Sequence, residues 1–112
     1  MDAELRRLRL KFALEQIDQA ISDLEEVSYD DFKESQLLGK ATSFSIVQIG
    51  EQLHRLRDFY EKDHPEIEWD KSNGMRNLIV HDYMNVRFDR VYTTVKEDLP
   101  KLKEQLMKLL EE

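Results

Sequence analysis

A chain of 112 residues has room for one packed core, burying about two-thirds of its unfolded surface. It contains no cysteine, which excludes disulfides, a thiol nucleophile and Cys-based metal sites. Its 24 acidic and 17 basic residues give a net charge of −7, a balance that runs against nucleic-acid binding unless cations gather locally.

Charged residues make up 37% of the chain, with only three glycines and two prolines, a composition suited to amphipathic helices with solvated outer faces. Arg6, Arg7, Arg9 and Lys11 lie near the N-terminus, but no apolar run long enough for a signal peptide or a membrane span follows. A cytoplasmic location is the expectation. Arg55, Arg57, Arg76, Arg87 and Arg90 are further cations that, with the N-terminal ones, could converge on one cleft.

Taken in order, the first helix is predicted over about Asp2 to Val27, because Leu10, Leu14, Ile17, Ile21 and Leu24 recur at spacings of four and three. Ser28-Tyr29-Asp30-Asp31 reads as a turn with an N-cap, leading into a short helix over roughly Tyr29 to Glu34. A brief break is expected near Ser35. The second long helix covers about Leu37 to Lys62, with a seam of Ile46, Ile49, Leu53, Leu56 and Tyr60 joined by Ala41 and Phe44. Gly50 lies inside it at a cost of about 1 kcal/mol relative to Ala, and a helix packing closely against that point would explain the glycine. Glu51, His54 and His64 read as solvated surface groups, and no Cys or His pair has metal-ligand spacing.

Asp63-His64-Pro65-Glu66 ends this helix, since proline disfavours helix at the preceding residue. Trp69 is expected to anchor the next helix start, with Asp70 or Ser72 as its cap. Met84-Asn85-Val86-Arg87-Phe88 is a short connection, and the last helix begins near Asp89 with a seam of Val91, Val95, Leu99, Leu102, Leu106 and Leu109. Pro100 predicts a kink or break near Asp98. The fold class is all-α, an antiparallel helical bundle occupying residues 1–112 as one domain.

The chemically dense stretch is residues 73–83, Asn-Gly-Met-Arg-Asn-Leu-Ile-Val-His-Asp-Tyr. At about 100° per residue, with Arg76 at zero, Asn77 falls near 100° and His81 near 140°, while Leu78, Met75 and Ile79 fall at roughly 200–300°. One face is therefore apolar, and the other presents a guanidinium, an amide and an imidazole. Asp82 falls on the apolar side, so the helix should end there, close to Tyr83.

Arginine grips phosphate oxygens through its fork of donors, and histidine moves a proton near neutral pH. Such a pair can cleave an RNA phosphodiester without a metal or another cofactor. His81 would accept the proton of the ribose 2′-hydroxyl or deliver one to the leaving oxygen, and Arg76 would stabilise the charge building on phosphorus. Asn77, four residues before His81, would orient it or bond the phosphate. The plainer alternative makes Arg76 a surface ion pair and His81 a helix C-terminal residue favoured by the dipole.

The chain resembles the HEPN superfamily and, within it, the HepT-like toxins of toxin–antitoxin pairs. Ile49-Gly50-Glu51, His64-Pro65-Glu66-Ile67-Glu68-Trp69, Gly74-Met75-Arg76-Asn77, Ile79-Val80-His81-Asp82-Tyr83 and Asp98-Leu99-Pro100 look like that family's segments, in order and at its spacing. Asp82 stands where many relatives have a small residue. The resemblance implies a two-fold homodimer whose shared cleft cuts RNA (tRNA or mRNA) without metal, with Arg76 and His81 as the catalytic pair and Asn77 as the supporting polar residue. It also implies a partner, a minimal nucleotidyltransferase antitoxin, with Tyr83 as the acceptor of AMP. The alternatives are a non-catalytic HEPN binding partner of the nucleotidyltransferase and a helical dimerisation module without a site.

Overall fold

The computed structural model describes residues 1–112 and is all-helical. Six α-helices follow in order: α1 Ala3–Asp23, α2 Tyr29–Glu34, α3 Gln36–Tyr60, α4 Trp69–His81, α5 Phe88–Thr93 and α6 Leu99–Glu111. A 3₁₀ turn, Tyr83–Asn85, separates α4 from α5, and a π-helical turn, Thr94–Asp98, joins α5 to α6. No helix is long and apolar enough to cross a membrane.

Polar side chains start the first three helices, where four backbone N–H groups lack intrahelical partners. Asp2, Ser28 and Ser35 accept hydrogen bonds from the amides of Leu5, Asp31 and Leu38. Ser35 thus closes α2 and opens α3, which is the expected break. Helix α1 stops four residues earlier than its apolar repeat suggests. The carbonyls just beyond it are taken by distant side chains: Lys96 Nζ donates to Leu24 O and the Tyr92 hydroxyl to Val27 O, both at 2.6 Å. Glu26 adopts φ 60°, a left-handed conformation that reverses the chain at that point.

Pairings along the helices define the topology. Arg7 reaches Leu110 O at one end of α1, Asp18 pairs with Lys103 in the middle, and Lys96 meets Leu24 O at the other end. Helix α1 therefore runs antiparallel to the continuous α5–α6 rod. Helix α3 lies between α1 and α4, with Arg9 bonded to Gln52 on one side and Arg57 bonded to Asp70 on the other. The core between these layers holds Leu10, Ile17, Ile49, Leu53, Leu56 and Leu106, all at most 2% exposed. Each contributes about 1.5–3 kcal/mol of transfer free energy. Ala13 and Ala20 are wholly buried on α1, whereas Leu14 and Ile21 of the expected seam are only half-buried, so the contact line follows the small residues. Phe44, placed in the α3 seam by periodicity, is instead 61% exposed, as is Leu37 at 79%.

Pro100 does not break the last helix. It lacks an N–H and its ring would strike the carbonyl of Lys96 in a regular α-turn. The chain widens by one residue upstream instead, with the Leu99 amide bonding to Thr94 O across a π-turn. The rod from Phe88 to Glu111 thus stays continuous.

Candidate active site on the fourth helix

Helix α4 is positioned by α3 through a glycine. A Cβ added to Gly50 would lie 2.6 Å from Ser72 O and 2.9 Å from Arg76 Cβ, inside the contact distance of real atoms. The α4 backbone therefore rests directly on α3, and Arg76 leaves α4 at that contact.

The neighbour of that glycine then holds the guanidinium. Glu51 Oε2 lies 3.2 Å from Arg76 Nη1, and Glu51 Oε1 accepts from Arg55 Nε at 2.8 Å. Asn73 Oδ1 accepts from Arg76 Nε at 3.3 Å. Nε is thus committed to Asn73 and Nη1 faces the Glu51 carboxylate as an ion pair, while Nη2 is engaged by neither, so the fork retains capacity for an anion. The side chains of Arg76 and Glu51 are 22% and 29% exposed, partly desolvated positions where orientation by charge counts for more than at the open surface.

The N-terminus of α4 is fixed by tertiary contacts. Neither Asp70 nor Ser72 caps it; the N-cap position is Glu68, without a side-chain bond. Trp69 is buried, its indole N–H donates to His64 O at 3.1 Å, and its ring stacks on Tyr60. Asp70 bonds Arg57 instead, and Lys71 bonds Asp98 at 2.9 Å. The Asp98 hydrogen bond holds the Lys71 ammonium above the usual lysine range.

The helix ends where expected. His81 is its last residue and is exposed. Asp82 departs from helical backbone, and both its carboxylate oxygens accept from Asn85 Nδ2, at 2.9 and 2.8 Å. That carboxylate is tied to its own turn. Tyr83 opens the 3₁₀ turn, 39% exposed, with its ring edge-on to Phe88. Asn77 is half-buried on the helix between Arg76 and His81. The apolar side of α4 is narrower than the periodicity suggests, with Ile79 buried, Met75 partly buried and Leu78 43% exposed; Val80, on the Arg76 side, is 51% exposed.

The structure brings Arg76 together with Glu51, Arg55 and Asn73, of which Glu51 had read as a solvated charge. Its signal was its place beside Gly50, the one glycine that the packing requires. The other cations do not gather there. Arg7 bonds the end of α6, Arg6 lies over Phe59, Arg9 bonds Gln52 and Arg57 is shared by Glu61 and Asp70. His64, expected at the open surface, is 22% exposed and lies between Glu66 and Glu112.

Comparison with known proteins gives a consistent picture. The family described as "Ribonuclease HepT-like" matches residues 13–109. A protein of Thermococcus cleftensis named "Probable ribonuclease HepT" is 35% identical over 100 residues, covering 86% of this chain and 91% of the relative. A "Putative RNase" of Caldanaerobacter subterraneus subsp. tengcongensis is 26% identical over 102 residues, covering 91% of each. No solved structure gives a significant match. The family match takes in α3 and α4 entire, with Gly50, Glu51, Arg76 and His81 inside it, and on that ground the chain belongs to the ribonuclease HepT-like family.

Proposed function

We propose that the chain is a metal-independent endoribonuclease acting as the toxin of a prokaryotic toxin–antitoxin pair. The observation that carries this reading is the α4 face itself: an arginine held by Glu51 and Asn73, with an exposed histidine at the end of the same helix. In the proposed reaction the 2′-oxygen attacks phosphorus and the P–O5′ bond breaks, leaving a 2′,3′-cyclic phosphate and a free 5′-hydroxyl. His81 takes the 2′-hydroxyl proton or supplies one to the departing 5′-oxygen. Arg76 neutralises the charge on the non-bridging oxygens, and Asn77 orients His81 or bonds the phosphate.

One imidazole cannot serve as base and acid in the same event, which is a chemical argument for two sites in one cleft. Leu37, Phe44 and Glu51 are seven residues apart on α3, so the exposed apolar pair lies in line with the residue that holds Arg76. A two-fold homodimer through this face would bring two Arg76–His81 sets together. Phe44→Glu is expected to give a monomer by light scattering, with helical circular dichroism intact and RNA cleavage lost. A monomer cutting at the native rate would defeat the shared cleft.

Tyr83, exposed two residues beyond His81, is the proposed acceptor of AMP from a nucleotidyltransferase antitoxin. An added phosphate two residues beyond His81 would compete with RNA by occupancy and repulsion. The net charge of −7 favours the second reading, a non-catalytic partner of that transferase. The two separate in one assay, in which unmodified protein is incubated with tRNA and mRNA in EDTA beside His81→Ala. Cyclic-phosphate fragments from the unsubstituted protein alone support the nuclease. Absence of cutting by a dimer with unmodified Tyr83 moves the assignment to the binding partner.

A further inference from the structure

A groove of about 560 Å³ runs between α4 and the α5–π segment. Gly74, Met75 and Leu78 of α4 line one wall, and Val86, Arg87 and Arg90 line the other. Three cations border it, Lys71, Arg87 and Arg90, with two carboxylates, Asp89 and Asp98. Asp98 is occupied by Lys71 at 2.9 Å, and Asp89 by Arg87 at 2.6 Å. Arg90 is exposed and has no carboxylate within ion-pair distance of it among these pairs.

Gly74 sharpens the reading. It is exposed within α4, where glycine costs about 1 kcal/mol relative to alanine. Unlike Gly50, it is not demanded by packing, since a Cβ there would meet nothing within 4 Å. The fold gives no reason for this glycine. On the helix, Gly74 lies in line with Asn77 and His81, three and seven residues on, so the bare backbone strip leads from the groove to the proposed reacting face.

We infer that this groove carries the single-stranded RNA flanking the cut, with a phosphate bound by Arg90, bases laid on Leu78 and Val86, and the strand crossing α4 over Gly74. The inference rests on the nuclease reading above. Single-stranded RNA is the occupant the chemistry favours, because 2′-oxygen attack in line with the departing 5′-oxygen needs a flexible backbone, and splayed bases seek apolar surface. Arg90 supplies the one uncommitted charge.

The test is binding of a fluorescent single-stranded oligoribonucleotide to the full chain, measured by anisotropy in a His81→Ala background so that the probe survives. Arg90→Gln is expected to weaken binding roughly tenfold at low salt, as loss of one charged hydrogen bond does. It should also flatten the log–log salt dependence by about 0.7, the slope of one single-strand phosphate contact. Arg90→Lys should restore most of both. Gly74→Ala should raise the melting temperature and yet weaken binding, a combination that damage to the fold cannot produce. Unchanged affinity in either Arg90→Gln or Gly74→Ala overturns the groove assignment while leaving the nuclease reading intact. If the unsubstituted protein neither binds nor cuts the RNA, that reading fails and the groove assignment falls with it.

Discussion

Gly50→Ala is expected to destabilise the protein by about 1–3 kcal/mol, the usual cost of overpacking. The sign is unusual, because alanine is the better helix former by about 1 kcal/mol at an ordinary helix position. Here the new methyl would stand 2.6 Å from Ser72 O and 2.9 Å from Arg76 Cβ. Neither atom can rotate away, one being backbone and the other fixed to it, so α4 must lift from α3. Such a displacement carries Arg76 away from Glu51, and an error of about 1 Å in a positioned catalytic group costs on the order of a hundredfold in rate. Thermal unfolding should show a melting temperature lower by roughly 5–15 °C. RNA cleavage measured well below that temperature should fall by about two orders of magnitude. Gly74→Ala is the internal comparison: it should melt higher, because its methyl enters open space. A Gly50→Ala protein as stable and active as the parent would show that the α3–α4 contact does not set the site.

Much of the fold was legible because its signals are local. The three-four spacing of Leu10, Leu14, Ile17, Ile21 and Leu24 marks α1, and serines at 28 and 35 sit where caps are needed. The end of α4 at His81 follows from Asp82 falling on the wrong side of the helix. What the sequence did not reveal depends on partners outside the element concerned. The stop of α1 is written in Lys96 and Tyr92, which claim the carbonyls of Leu24 and Val27. The start of α4 is set by Trp69 meeting Tyr60 and His64 O rather than by a capping side chain. Pro100 announced a disturbance, but whether a helix breaks or widens depends on whether packing holds it straight. Val91, Val95 and Leu99, all buried along one side of the rod, hold this one.

The candidate site divides in the same way. Arg76, Asn77 and His81 share a helix, so their common face could be read from spacing alone. The residue holding Arg76 comes from another helix, and nothing in the motif points to it. Gly50 was the usable clue: a glycine inside a long helix marks a close neighbour, and the side chain next to it is then the first to reach that neighbour. Of the arginines that could have converged, Arg55 joins Arg76 at Glu51 while Arg7, Arg57 and Arg87 are held by a helix-end carbonyl or nearby carboxylates, partners that a count of cations ignores.

That arrangement makes the roles of Arg76 and Glu51 separable. Arg76→Ala removes the group proposed to meet the developing phosphorane charge, and loss of one such donor costs about 10²–10³ in kcat. Glu51→Gln leaves Arg76 in place but takes away the second charged acceptor. One amide oxygen cannot serve both cations, whereas the carboxylate bonds Arg55 through Oε1 at 2.8 Å and pairs with Arg76 through Oε2 at 3.2 Å. The guanidinium should therefore wander, and kcat should fall by roughly 10–100-fold, the range expected when a group is loosened rather than lost. The charge change acts in the opposite direction on binding. Removing a carboxylate beside the site raises the local potential, so KM for RNA should stay level or fall. A decrease in kcat without an increase in KM is the signature of a positioning residue, and steady-state kinetics on the folded variant reads it directly. If Glu51 acted instead as a brake that neutralises Arg76, the same substitution would increase kcat, and the positioning role would be wrong.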